Sequence, residues 1–171
     1  KIKKNLDKLE AEIEAFLMET DKLSQQKPIY EKTSFEKFIN EANSLLDNKV
    51  EVENKPDSAV IILPKITVLN AITSIRNFFV NIYDARINSA RLSCDEKSVE
   101  IKIKYENFNI SDEEIDLLFT RDYKFEKSGM RSNLHWTANS LNTISGRVSV
   151  NRSDDYLILS MSFGVEFFKQ Q

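Results

Sequence analysis

The sequence is short of the residues on which several common sites depend. It has one cysteine, Cys94, which excludes an internal disulfide, and one histidine, His135, which excludes a multi-histidine metal site. Three glycines in 171 residues leave little for a glycine-rich phosphate loop. No apolar run is long enough to span a bilayer, and no secretory signal opens the chain. With 24 basic against 27 acidic residues spread along its length, the net charge of −3 offers no electrostatic footprint for a nucleic-acid backbone. These absences predict a cytoplasmic protein, or the cytoplasmic part of a larger membrane-bound sensor, that contacts neither nucleic acid nor membrane. The opening "KIKKNL" begins inside a helical pattern, as a segment of a longer protein would.

At 41% hydrophobic residues, the chain can bury one substantial core plus a short helical appendage. The appendage comes first, at residues 1–27. Ile2, Leu6, Leu9, Ile13 and Phe16 step by four and three, placing apolar side chains along one stripe of a helix. Such a seam needs a partner, either the chain's own globular part or a second helix in a dimeric stalk. The pattern fades at "SQQKP", where Pro28 and a polar run mark a linker.

The remainder, 28–171, reads as an α+β domain. Ser34 caps an amphipathic helix whose face is Phe35, Phe38, Ile39, Ala42 and Leu45. "KVEVEN" and "SAVIILP" read as strands, the second so uniformly apolar that burial on both faces is predicted. Helical spacing then runs through "ITVLNAITSIRNFFVNIYDARINSA". "ARLSC" and "VEIKIKY" form a hairpin around "DEKS", and Ser111 with Glu114 makes a capping box for a short helix. A loop carries Arg121 to Ser128, a further helix spans roughly Leu134 to Thr143 and stops at Gly146, and the chain closes with a hairpin turning at "SDD". The prediction is a two-layer α/β sandwich, a mixed sheet with helices on one face, preceded by a helical stalk.

Several strings, in this order, resemble the catalytic ATP-binding domain of bacterial sensor histidine kinases, a branch of the ATPases that includes the gyrase and Hsp90 type. Residues 10–46 resemble the end of the second dimerisation helix and its link into that domain. "IRNFFVNIYDA" resembles the N-box helix, "NISDEEIDLLF" the stretch after the first glycine motif, and "GMRSNLHWTANSLNTISGRVSV" the second glycine motif with its helix and strand. The resemblance implies two-component signalling, ATP and magnesium as cofactors, a homodimer formed through the N-terminal helix, and a response regulator or partner kinase as binding partner.

It also implies site residues. Asn77 and Asn81 fall on the two N-box asparagines, Asn81 being the magnesium ligand by the pattern, and Asp84 closes the motif. An amide oxygen is a suitable hard ligand, and four-residue spacing keeps both side chains on one helix face. The first glycine motif, ordinarily Asp-x-Gly-x-Gly-Ile, reads "YENFNI". Tyr105 stands where the base-reading aspartate belongs, Asn107 and Asn109 replace the glycines, and Glu106 should point to the opposite face of its strand. The second motif, ordinarily Gly-x-Gly-x-Gly-Leu, keeps Gly129, but Arg131 and Asn133 take the other glycine positions. The loop before it reads "YKFE", with Glu126 where relatives place a lysine.

These departures predict the ATPase fold with impaired ATP binding, and they leave three functions open. One is a divergent kinase domain, favoured by Asn77 and Asn81. Another is a pseudo-ATPase scaffold that dimerises and docks a response regulator or partner kinase. The third is a cleft for a different small anion, with Arg131 and Lys124 as anchors. Apart from these, His135 and Cys94 read as buried and inert, Trp136 and Tyr156 as core or edge aromatics, and the acidic "SDEEID" as a helix start.

Overall fold

The computed structural model describes residue 13, residues 27–57, 59–120 and 134–168. Of the predicted stalk seam, only Ile13 lies among the described residues; it is helical and exposed.

Two sheets organise the domain. The larger has the order β2-β4-β5-β7-β6, built from β2 (Val50–Glu53), β4 (Arg86–Cys94), β5 (Ser98–Glu106), β6 (Arg147–Ser153) and β7 (Tyr156–Gly164). β2 runs parallel to β4 and the other neighbours are antiparallel, so the sheet is mixed as expected. A smaller antiparallel sheet joins β1 (Glu31–Ser34), β3 (Val60–Leu63) and β8 (Glu166–Phe167) in the order β1-β3-β8.

Strand alternation in the large sheet is strict enough to make one face apolar. Ile101, Ile103 and Tyr105 of β5 and Leu157, Leu159 and Met161 of β7 are fully buried, while Lys102 between them is exposed. Against that face lie α1 (Phe35–Leu45), α2 (Lys65–Arg76) and α4 (Leu134–Asn142), whose apolar stripes share the same core. Phe38 of α1 meets Phe163 of β7 edge to face at 6.2 Å, and α2 packs against both α1 and α4. A short helix, α3 (Asp112–Leu117), follows β5. The result is the two-layer α/β sandwich read from the sequence.

Three local readings change. The helix predicted to run from Ile66 to Ala90 stops near Ile82, because Asp84 turns into the left-handed region at φ 53 and Arg86–Cys94 pairs as β4. Within "SAVIILP", β3 is buried on alternate residues, Ile61 and Leu63 at 0% exposure, because it is the centre of the small sheet rather than a strand of the large one. "EKTS", read as linker and cap, is β1; its pairing with β3 supplies what its composition lacks.

Candidate functional site

The site grows from the C-terminal part of the second long helix. α2 is regular to Arg76 and then widens into a π-helical turn over Asn77–Ile82, a local feature often found where a helix must aim side chains. The turn closes when the Ala85 N–H donates to the Phe79 oxygen at 3.0 Å. Phe78 and Phe79 are buried, while Asn77, Asn81 and Asp84 are exposed. Asn77 and Asn81 do face one another: Nδ2 of Asn81 donates to Oδ1 of Asn77 at 3.4 Å. In that arrangement the Asn81 carbonyl oxygen is not engaged by the pair and is chemically suited to a hard cation. This half of the site fits magnesium.

The base-reading half does not fit an adenine in the usual way. Tyr105 sits at the end of β5, opposite Ile87 and Leu157, with its side chain directed into the core at 0% exposure. Its ring stacks on Phe79 at 4.8 Å between centroids with 30° between planes. Its hydroxyl has no hydrogen-bond partner among the described residues. Burial drives the phenol well above its ordinary range; Arg76 opposes that slightly and Asp47, paired with Arg76 at 2.9 Å, adds to it. Position 105 is therefore filled by a neutral phenol packed into the core.

Glu106 does not take over. As strand alternation requires, it points away from Tyr105, accepting from Arg86 Nε at 2.6 Å and from Asn88 Nδ2 at 3.0 Å. Those bonds, the Arg86 one foremost, hold its carboxyl below the usual range. Asn107 does adopt the left-handed conformation at φ 56, so the turn survives without its glycine.

The segment after β5 is better tied down than the sequence foretold. The capping box of α3 is present in both directions: Glu114 N–H donates to Ser111 Oγ at 3.1 Å, and Ser111 N–H to Glu114 Oε2 at 2.8 Å. The same Glu114 accepts from Tyr83 Oη at 3.4 Å, linking α3 to the end of the π-helical turn. From the other side comes Arg152 of β6, which sequence reading passed over. Its Nε donates to Asp112 at 2.7 Å, its Nη2 to the Ile110 oxygen, and its guanidinium lies 5.0 Å from the Phe108 ring centre. Nothing in the local string "VNRSDD" signals these contacts, since they arise from sheet order.

His135 is buried against Trp136, ring centres 4.4 Å apart, and its Nδ1 has no partner among the described residues. Cys94 is buried, and burial, with the charge of Asp95 adding, pushes its thiol up to about 11. Gly129, Arg131 and Asn133, with Lys124 and the Arg121 to Ser128 loop, lie outside the described residues. The structure therefore gathers Asn77, Asn81 and Asp84 on one helix end with Tyr105 packed under it through Phe79.

No protein-family model matches the sequence, and no curated protein matches it. Solved structures do. The histidine kinase AdeS of Acinetobacter baumannii shares 17% identity over 95% of this chain and 83% of its own, with a TM-score of 0.60. The histidine kinase domain of the E. coli osmosensor EnvZ shares 14% over 86% of this chain and 95% of its own, TM-score 0.57. The histidine kinase ThkA, solved in complex with the response regulator TrrA, shares 10% over 95% of this chain and 49% of its own, TM-score 0.63. At such identities it is the fold that is shared, and the fold here is that of the catalytic domain of sensor histidine kinases. Among the described residues, no helix is long and apolar enough to cross a membrane.

Proposed function

We propose that this chain is the catalytic-domain portion of a two-component sensor histidine kinase in which ordinary ATP binding is impaired. Residues 28–171 form the ATPase-like domain, and residues 1–27 the end of a dimerisation helix that makes a homodimer. The observation that carries the impairment is Tyr105, buried, stacked on Phe79 and unable to act as an acceptor carboxylate, with Glu106 committed to Arg86 and Asn88 on the other face. Loss of one charge-assisted hydrogen bond of that kind costs about 1.5–3 kcal/mol, or roughly ten- to a hundred-fold in affinity. By the family pattern, Arg131 and Asn133 stand at two of the three glycine positions of the phosphate turn, and side chains there would add to the loss.

The metal half favours a second reading. With Asn77 and Asn81 paired on one exposed face, magnesium would be held by Asn81 and would supply charge neutralisation for a polyphosphate. That supports a divergent but active kinase. If the base half decides, the domain is a pseudo-ATPase scaffold that docks a response regulator or partner kinase without turnover. ThkA, which shares the fold, has been solved with a response regulator, which makes such a partner the natural one to try.

Titration calorimetry with a non-hydrolysable ATP analogue and magnesium, on the protein and on Asn81→Ala, tests the proposal. No heat at millimolar nucleotide is expected. Micromolar binding abolished by the substitution would overturn the impaired reading and establish the active one.

A further inference from the structure

One guanidinium bridges the edge of the large sheet to the turn that follows β5. Arg152 engages three chemically different groups at once, the Asp112 carboxylate, the Ile110 carbonyl and the Phe108 ring. A planar five-donor fork can do this and a lysine cannot. The segment it grips, 107–118, is anchored by two buried side chains, Ile110 at 3% exposure and Leu118 at 0%. Of the Arg152 contacts, the bond to the Ile110 oxygen is part-buried, while the ion pair is exposed, joining a side chain 36% exposed to one 78% exposed. Exposed pairs are weak and screened by salt, so this hold is releasable while the anchors are not.

We propose that Arg152 is a strap, a positioning residue that holds the 107–118 segment against the edge strand β6 and whose release lets the segment open locally. On the opposite flank the Tyr83–Glu114 contact joins the same segment to the end of the helix bearing Asn77 and Asn81. A strap at β6 therefore sets the position of that helix's neighbour. The inference goes beyond the nucleotide reading and stands without it.

Hydrogen exchange followed by mass spectrometry on the whole protein tests it, at low and high salt, with Arg152→Ala and Arg152→Lys. Arg152→Ala should speed exchange of amides in 107–118 about five- to tenfold, as expected for losing a weak exposed ion pair together with the bond to the Ile110 carbonyl, and leave β5 protection unchanged. Arg152→Lys should restore only part of the protection. Raising salt should move the unsubstituted protein in the same direction and leave Arg152→Ala unmoved. Unchanged exchange in 107–118, or an equal rise across β5 and β7, would overturn the strap; the second result would make Arg152 general support for the sheet edge.

Discussion

The ring of Tyr105 lies on the ring of Phe79, 4.8 Å between centroids and 30° between planes, and neither side chain reaches solvent. One residue comes from the end of a central strand and the other from a π-helical turn between two asparagines. The contact therefore couples the end of β5 to the helix end that carries Asn77 and Asn81. Phe78 extends the cluster, meeting Phe79 at 5.0 Å and Tyr83 at 5.3 Å.

Substitutions at Tyr105 should separate packing from polarity. Tyr105→Phe keeps the stack and removes a buried hydroxyl that has no partner among the described residues, so stability should stay within about 1 kcal/mol or rise slightly. Tyr105→Asp restores the residue of the related motif but places a carboxylate in an apolar core, and should lose about 3 kcal/mol or more. Urea unfolding of both variants checks this. Equal losses would mean that the hydroxyl is bonded after all.

Alkaline pH should reveal Cys94. Its thiol ionises at about 11 in the folded protein against a reference of 9.0, chiefly through burial and secondarily through the Asp95 charge. A raised folded value means stability fully present below pH 9 and lost as pH climbs towards 11, with a slope of at most about 1.4 kcal/mol per pH unit. Cys94→Ala should flatten that window in urea midpoints measured from pH 8 upward. The buried phenol of Tyr105 is raised in the same sense, so a residual decline above its unfolded value near pH 10 should persist in Cys94→Ala and weaken in Tyr105→Phe. At neutral pH, the thiol should react slowly with disulfide reagents.

What could be read in advance follows from which forces are local. The Ser34 cap, the Ser111–Glu114 box, the β4–β5 hairpin around "DEKS" and the turn at "SDD" were legible because each is decided by residues a few positions apart. β1 was not, because "EKTS" has no strand composition and exists through pairing with β3. The end of the long helix was missed because Ile87 and Ala90 continue a helical spacing, while the decision lies in Asp84 turning left-handed and in β5 waiting to pair. The same division holds in the site. The shared face of Asn77 and Asn81 and the opposed directions of Tyr105 and Glu106 followed from helix and strand periods, while the choice of the asparagines came from the family pattern. Arg152 did not, since its reach to Ile110 and Asp112 depends on β6 lying at the sheet edge next to β7.

Gly146 should resist even alanine. A Cβ there would stand 2.8 Å from the Ser162 carbonyl oxygen and 3.1 Å from that of Leu141, which accepts the Gly146 N–H at 2.8 Å and so closes α4. Both obstacles are backbone and cannot rotate away. Gly146→Ala should cost about 1–3 kcal/mol, a fall in Tm of about 2–4 °C per kcal/mol in a domain of this size, by thermal unfolding. An unchanged Tm would show that β7 can yield at Ser162.

The proposed homodimer stands or falls on the N-terminal seam. If residues 1–27 pair as a stalk, the double substitution Leu9→Glu with Ile13→Glu puts charges into its apolar stripe, and sedimentation should show monomers in place of dimers. An unchanged sedimentation state would remove the stalk as the dimer element.

Asn81 offers the sharpest division between fold and function, because the side chain is exposed and its one contact, with Asn77 at 3.4 Å, is long. Removing it should change stability by no more than about 0.5 kcal/mol. Under the impaired reading, Asn81→Ala should also dock a response regulator as tightly as the unsubstituted protein, since docking then asks nothing of the metal position. A signalling assay in the full-length sensor completes the comparison. Preserved signalling in Asn81→Ala would fit a scaffold, whereas a large loss with the melt and docking unaltered would mean that the asparagine pair still holds its metal and that the cleft has found another way to seat its ligand despite Tyr105.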